Sequence, residues 1–302
     1  MAITISVADA DSDGTGINFA TYLKQFEKSY SDATGMGDFS GKVTGNYADE
    51  DNPMHADAYV TTDSEDGGGQ SVIFNGGSGG FAYSGPYEHN GAEHVIYGKL
   101  KSIVFGTDTT VTPLSSDENK YANSGDITIS GFARNYETTS QDGQLLGDIL
   151  KTDTNGLDSL YDFLKSDSIV FKGSSGKDVF TGYGHDDRLN GGAGVDRLNG
   201  GAGADRIDGD AGNDVLTGGT GADHFLFKAA TGTDTIKDFA ATGNAHDVID
   251  LTAMDAIKDY DDLKANHMTQ HGADVWITGT DSDKLVLKGV DIHDLGKGDF
   301  MF

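Results

Sequence analysis

Between residues 173 and 226 one apolar position returns every nine residues. Phe180, Leu189, Leu198, Ile207, Leu216 and Phe225 hold it, and glycine and polar residues fill most of the positions between. A period of nine is neither the 3.6 of a helix nor the long alternation of an ordinary strand. One apolar site at a constant interval predicts one short strand per repeat, each stacked on its counterpart in the next coil. Upstream the pattern changes. MAITISVA alternates like a strand. Ile17, Ala20, Tyr22, Leu23, Phe26 and Tyr30 fall at helical spacing, with Thr15 or Asn18 as a cap. Strand-like runs follow at AYVTT, SVIF, GFAYS, HVIYGKLKSIVF and ITISGFA, and then two helical segments, GQLLGDILK and LDSLYDFLK. The pattern predicts two domains. An α+β N-terminal domain, an antiparallel sheet packed on helices, occupies residues 1–168, and a parallel β-roll occupies 169–302.

The polar positions of the repeats carry the chemistry. The units read GSSGKDVFT, GYGHDDRLN, GGAGVDRLN, GGAGADRID, GDAGNDVLT and GGTGADHFL. Each has an Asp at its sixth position: Asp178, Asp187, Asp196, Asp205, Asp214 and Asp223. Calcium takes several oxygen ligands from carboxylates and backbone carbonyls. Glycine permits the backbone angles that turn carbonyls into a loop. Asp and glycine in this phase therefore predict Ca2+ as the bound metal. Two units make one coil, so loops on one side lie two units apart, and six units would hold roughly four ions with one more at the end. The second unit departs from the pattern, with Tyr183 and His185 where glycines are expected.

Charge supports that reading. The 302 residues include 49 acidic and 21 basic ones, a formal net charge of −28. Nucleic acid and anionic membrane surfaces are poor partners for such a chain. Cations suit it, and without them the clustered carboxylates repel, so folding and metal binding become one event. With no cysteine, disulfides, thiolate metal sites and cysteine nucleophiles are excluded. No run approaches a membrane helix and no apolar leader opens the chain, so membrane insertion is not expected. Asp9, Asp11 and Asp13 precede Gly14 like the start of a calcium loop, but the twelfth position is Ala20, and a solvated turn is expected there.

Residues 170–302, with the repeats, the stretch GTDTIKDFAATGNAHDVIDLTAMDA and the ending Asp299-Phe300-Met301-Phe302, resemble the C-terminal part of RTX proteins. The resemblance implies a Gram-negative, secreted, extracellular protein. It would be exported by a type I secretion apparatus that reads an uncleaved C-terminal signal, and would fold on meeting calcium.

A second resemblance lies upstream. The opening strand and first helix, AEHVIYGKLKSIVFG, and LGDILKTDTNGLDSLYDFLK are similar to the HasA family of secreted haemophores. That resemblance implies ferric haem as cofactor and delivery to an outer-membrane haem receptor. Carried over to this chain, the iron-ligating Tyr is Tyr83 and its hydrogen-bonding His is His94. A phenolate is a hard donor suited to ferric iron, and a ring nitrogen can hold it from a second position. The segment between them is longer than the family pattern and contains Tyr87 and His89, which could take the same roles. The early loop SYSDATGMGDFSG lacks the family's axial His, and Met36 stands near that place.

The sequence points away from an enzyme. No H-E-x-x-H occurs, and the G-x-S-x-G at residues 76–80 lies in a glycine run with no helix pattern after it. The expected function is haem capture by a secreted, calcium-folded protein. The alternatives are a calcium-stiffened surface or matrix protein with no small ligand, or a secreted hydrolase.

Overall fold

The computed structural model describes residues 2–8, 16–30, 38–40, 54–56, 58–62, 71–75, 81–84, 95–98, 101–106, 110–115, 118–122, 125–130, 156–229, 231–279 and 283–302. The chain forms two compact units. One holds residues 21–164, and the other holds 2–20 together with 165–302.

The second unit is built on the nine-residue period. Short strands such as Ile169–Lys172, Arg188–Asn190, Arg206–Asp208 and His224–Leu226 pair in parallel, each 18 residues or so after its neighbour. A second parallel sheet takes the alternate units: Val179–Thr181, Arg197–Ala202, Val215–Thr220 and Thr233–Ile236. Two sheets and two turns make each coil, as the repeat predicts.

In-register pairing turns the repeated apolar residue into continuous columns. Phe171, Leu189, Ile207, Phe225, Ile249 and Phe300 stack in one sheet. Phe180, Leu198, Leu216, Ile236 and Leu287 stack in the other. All are buried and together they form the core between the sheets. The columns run beyond the six repeats, because the strands Val248–Asp250, Lys284–Leu287 and Phe300–Met301 keep the same register without keeping the spacing. An antiparallel extension, Met268–His271 with Asp274–Thr278, completes the second sheet.

In residues 21–164 the described strands pair mainly antiparallel. Ser71–Asn75 lies between Ala58–Thr62 and Ser102–Gly106, and Ile127–Ser130 joins the far side of the latter. Val72, Phe74, Ile103, Phe105, Ile127 and Ile129 are buried there. A separate three-stranded sheet carries Met54–Ala56, Phe81–Ser84 and Val95–Gly98.

The α+β class read from the sequence for residues 1–168 is corrected: the chain is mostly β. Between Phe19 and Leu164 the described residues contain ten strands and two helices, Phe19–Tyr30 and Gly156–Leu164. The expected helix GQLLGDILK lies outside the described residues. The physical reason is the local balance of the sequence. Thr-, Val-, Ile- and aromatic-rich runs punctuated by glycine favour extended backbone in the ten described strands.

Candidate calcium-binding loops

Each repeat turns between its two sheets through a loop that ends on its Asp. All six Asp side chains are at most 1 % exposed. Burying a charge is costly unless something pairs with it, so the partners of each carboxylate decide what the loops do.

One oxygen has a constant partner. Asp196 Oδ1 accepts the backbone N–H of Asp178 at 2.8 Å, and Asp214 Oδ1 accepts that of Asp196 at 2.8 Å. On the opposite edge Asp187 Oδ1 accepts from Ile169 at 2.7 Å, Asp205 Oδ1 from Asp187 at 2.8 Å, and Asp223 Oδ1 from Asp205 at 2.9 Å. The six residues therefore separate into two ladders, Asp178–Asp196–Asp214 and Asp187–Asp205–Asp223, one along each side of the roll.

The other oxygen is different. Oδ2 of Asp187, Asp196, Asp205, Asp214 and Asp223 is buried without a well-formed hydrogen bond, although the Tyr183 N–H lies near enough to Asp187 to pull its proton affinity down. Asp178 is the exception, since its Oδ2 accepts from the Ser174 N–H at 2.6 Å and the Ser174 hydroxyl at 2.9 Å. Five buried carboxylate oxygens without a donor fit a hard cation.

The glycines complete the fit. Gly194 and Gly203 hold φ of +123° and +134°, angles closed to most other residues. A Cβ on Gly194 would lie 2.3 Å from the Gly176 carbonyl oxygen, and one on Gly203 would lie 2.0 Å from that of His185. Carbonyls of one loop thus press against the next, as an oxygen-lined cradle requires. His185 itself keeps the left-handed angle at φ +71° despite its side chain. Among the described residues no three His, Cys, Asp or Glu side chains converge on one point. The donor-free carboxylate oxygens and backbone carbonyls would hold the metal instead.

Burial also sets the proton affinity. Loss of hydration raises Asp196 to about 7 and Asp187, Asp205 and Asp223 each to about 6, against backbone donors that pull the other way. Asp214 is raised for the same reason.

Both ladders continue past the repeats. Asp234 Oδ1 accepts from the Asp214 N–H and Asp247 Oδ1 from the Asp223 N–H, each at 3.0 Å. Asp234 and Asp247 are buried, and burial raises both, Asp234 to about 7. Sequence reasoning missed them because the intervals are 20 and 24 residues instead of 18. A signal was present: Asp234-Thr235-Ile236 and Asp247-Val248-Ile249 keep the order Asp, any residue, apolar that every repeat has.

The haem candidates are placed only in part. Tyr83 lies on the central strand of the three-stranded sheet, opposite Met54 on one side and Ile96 on the other. Met36, Tyr87, His89 and His94 lie outside the described residues.

The model of the RTX calcium-binding nonapeptide repeat, in four copies, matches residues 170–198 and 191–225. The repeats are therefore RTX calcium-binding repeats, of the kind that marks a secreted calcium-binding protein. No curated protein matches the chain. Among solved structures, the chain is similar to the AlgE6R3 subunit of the mannuronan C5-epimerase of Azotobacter vinelandii. Identity is 27 %, over 42 % of this chain and 78 % of that one, with a TM-score of 0.32. It is similar to the apo hemophore HasA of Yersinia pestis, 16 % identical over 55 % of this chain and 89 % of that one, TM-score 0.38. It is also similar to the extracellular lipase LipA of Serratia marcescens, 15 % identical over 85 % of this chain and 32 % of that one, TM-score 0.37.

Proposed function

We propose that this chain is an extracellular, calcium-folded protein exported by a type I secretion apparatus, and that it acts by binding rather than by catalysis. One observation carries the calcium part. Five buried Asp oxygens have no donor, and this arrangement is unfavourable at neutral pH until a cation arrives. Calcium would supply the missing positive charge, with those donor-free Asp oxygens and the loop carbonyls as its ligands. The experiment is a calcium titration of the purified chain followed by far-UV circular dichroism and by Trp276, the single tryptophan, which sits in the strand Asp274–Thr278. Strand signal and a fluorescence change appearing together with calcium, and not with magnesium, are expected. Spectra unchanged by calcium and by chelator overturn the reading.

For residues 21–164 we infer capture of ferric haem, for hand-over to an outer-membrane receptor. Support comes from the phrases similar to the haemophores and from the place of Tyr83. A hydrogen-bonded central strand fixes its backbone, and Met54 and Ile96, both apolar, flank it in register. Tyr83 would ligate the iron with His94 holding the phenolate, while Tyr87 and His89 offer the alternative pair and Met36 a second axial ligand. Titration with hemin tests this. A Soret band that is lost in Tyr83→Ala supports the assignment. No band, or one unchanged when Tyr83 and Tyr87 are both replaced by Ala, sinks it.

A further inference from the structure

The ladder through Asp178 begins on a residue that belongs to no repeat. Ile17 donates its N–H to Asp178 Oδ1 at 2.6 Å, the contact that Asp178 makes to Asp196 and Asp196 to Asp214. The backbone around it follows the roll. The Val179 N–H donates to the Ile17 carbonyl at 2.9 Å, and Asn18 bridges Val179 in parallel register. Ile3 to Ser6 pair in parallel with Ile169 to Lys172. Apolar packing continues as well: Ile5 lies in register with Phe171, and Phe19 meets Phe180 edge-on at 5.4 Å while Phe180 stacks on Phe171 at 4.1 Å. Ile3, Ile5, Val7 and Phe19 are buried. At Gly16 a Cβ would lie 2.3 Å from the Lys177 carbonyl carbon, so the two turns touch.

Residues 2–8 and 16–20 therefore follow the pattern of a coil of the roll: a strand under the first sheet, a bridge under the second, and an apolar side chain beneath each column. Two differences from a repeat matter. Ile17 stands where each repeat has its Asp. And Asp178 has donors on both oxygens, Ile17 on one and Ser174 on the other, whereas Asp196 and Asp214 on the same ladder keep a bare Oδ2.

We propose that residues 2–8 and 16–20 belong to an end coil that docks on the first coil of the roll. Asp178 is the clasp that holds this coil and does not ligate calcium. Docking and calcium loading are then linked. The docking edge, Ile169–Lys172 with the Asp178 loop, exists only once the roll has folded. Any segment that binds the folded state alone stabilises it. The end coil also covers a strand edge that would otherwise be open to pairing with another chain.

This inference rests on the calcium reading, and the experiment separates the two. Amide exchange of the full chain is compared with calcium and with chelator. Ile3–Val7 and Ile17 are expected to gain protection with calcium in step with Leu198 and Leu216. Ile17→Pro removes the donated N–H and is expected to raise the calcium midpoint roughly three- to ten-fold. Asp178→Asn is expected to leave the number of bound calcium ions unchanged, whereas Asp196→Asn lowers it. If Leu198 and Leu216 do not respond to calcium, the calcium reading fails. If they respond while Ile3–Val7 do not, or if Asp178→Asn loses an ion, the clasp is refuted.

Discussion

Asp196 Oδ1 accepts the backbone N–H of Asp178 at 2.8 Å, while the second oxygen of Asp196 is buried without a donor. One carboxylate thus has two separable tasks, to pin the preceding coil and to meet a cation. Substitution should separate them. Asp196→Asn keeps an oxygen for the Asp178 N–H and removes the charge, so calcium should bind more weakly with the coil otherwise intact. Asp196→Ala also strands a buried N–H, which costs about 1–3 kcal/mol more. Calcium titrations and chemical unfolding of the loaded protein measure the two terms. Equal effects of Asn and Ala would deny the pinning role.

Burial raises Asp196 to about 7 and Asp187, Asp205 and Asp223 to about 6, against about 4 in an unfolded chain. The metal-free roll therefore holds protons more tightly than the unfolded chain does. Protons stabilise it fully below about pH 4, and that contribution is gone once pH has risen through about 7. At pH 8 the metal-free roll is at its weakest and calcium is needed most. Calcium must displace protons at lower pH, so its midpoint should rise as pH falls from 8 to 5. Circular dichroism is the suitable readout, because it follows the strands of the roll directly. A midpoint independent of pH contradicts the raised values.

Backbone angles give a third prediction of opposite sign at two neighbouring turns. His185 is exposed and holds φ +71°. A side chain at that angle costs about 1–2 kcal/mol, so His185→Gly should stabilise the loaded roll by up to ~1 kcal/mol once the added freedom of the unfolded chain is subtracted. Gly194→Ala should do the reverse. Its Cβ would lie 2.3 Å from a backbone oxygen, which no rotamer relieves, and the loop would have to move. Thermal melts in saturating calcium test both. A Gly194→Ala protein as stable as the parent would mean that the turns are not stacked as described.

The apolar interval and the Asp interval were legible because they repeat, and they place the six Asp residues and both apolar columns. What the interval could not reach was each end of the roll. At one end, Ile3–Val7 reads as an alternating strand, and nothing in its composition says that it pairs with Ile169–Lys172 some 166 residues later. Long-range parallel pairing leaves no local signature. At the other end, loops of new length shift Asp234 and Asp247 off the period while the ladder geometry is kept. The missing donor on five of the six carboxylates was not legible either. Ser174 replaces the second glycine of its unit, and its N–H and hydroxyl satisfy Asp178 alone. Upstream, the described runs of helical period are helices, Phe19–Tyr30 and Gly156–Leu164, and the ten described strands outnumber them, so the balance between layers, which no single run announces, is what the sequence did not show.

Asp234 carries the sharpest consequence of the extended ladder. Its Oδ1 pins the Asp214 N–H at 3.0 Å, and Asp234 is buried like the repeat residues. Asp214, in turn, has an Oδ2 without a donor. If the ladder is the functional unit, its last rung should matter as much as a rung inside the repeats. Asp234→Ala should then raise the calcium midpoint about as far as Asp214→Ala does, and lower the unfolding free energy of the loaded protein by about 1–3 kcal/mol. Asp238 is the control, since it holds the Gly218 and Gly219 N–H groups through both of its oxygens but occupies no rung. Asp238→Ala should loosen that turn and shift the midpoint less than either rung does. Calcium titrations of the three variants side by side decide the matter. An Asp234→Ala midpoint equal to that of the parent would confine metal-linked folding to the six repeats.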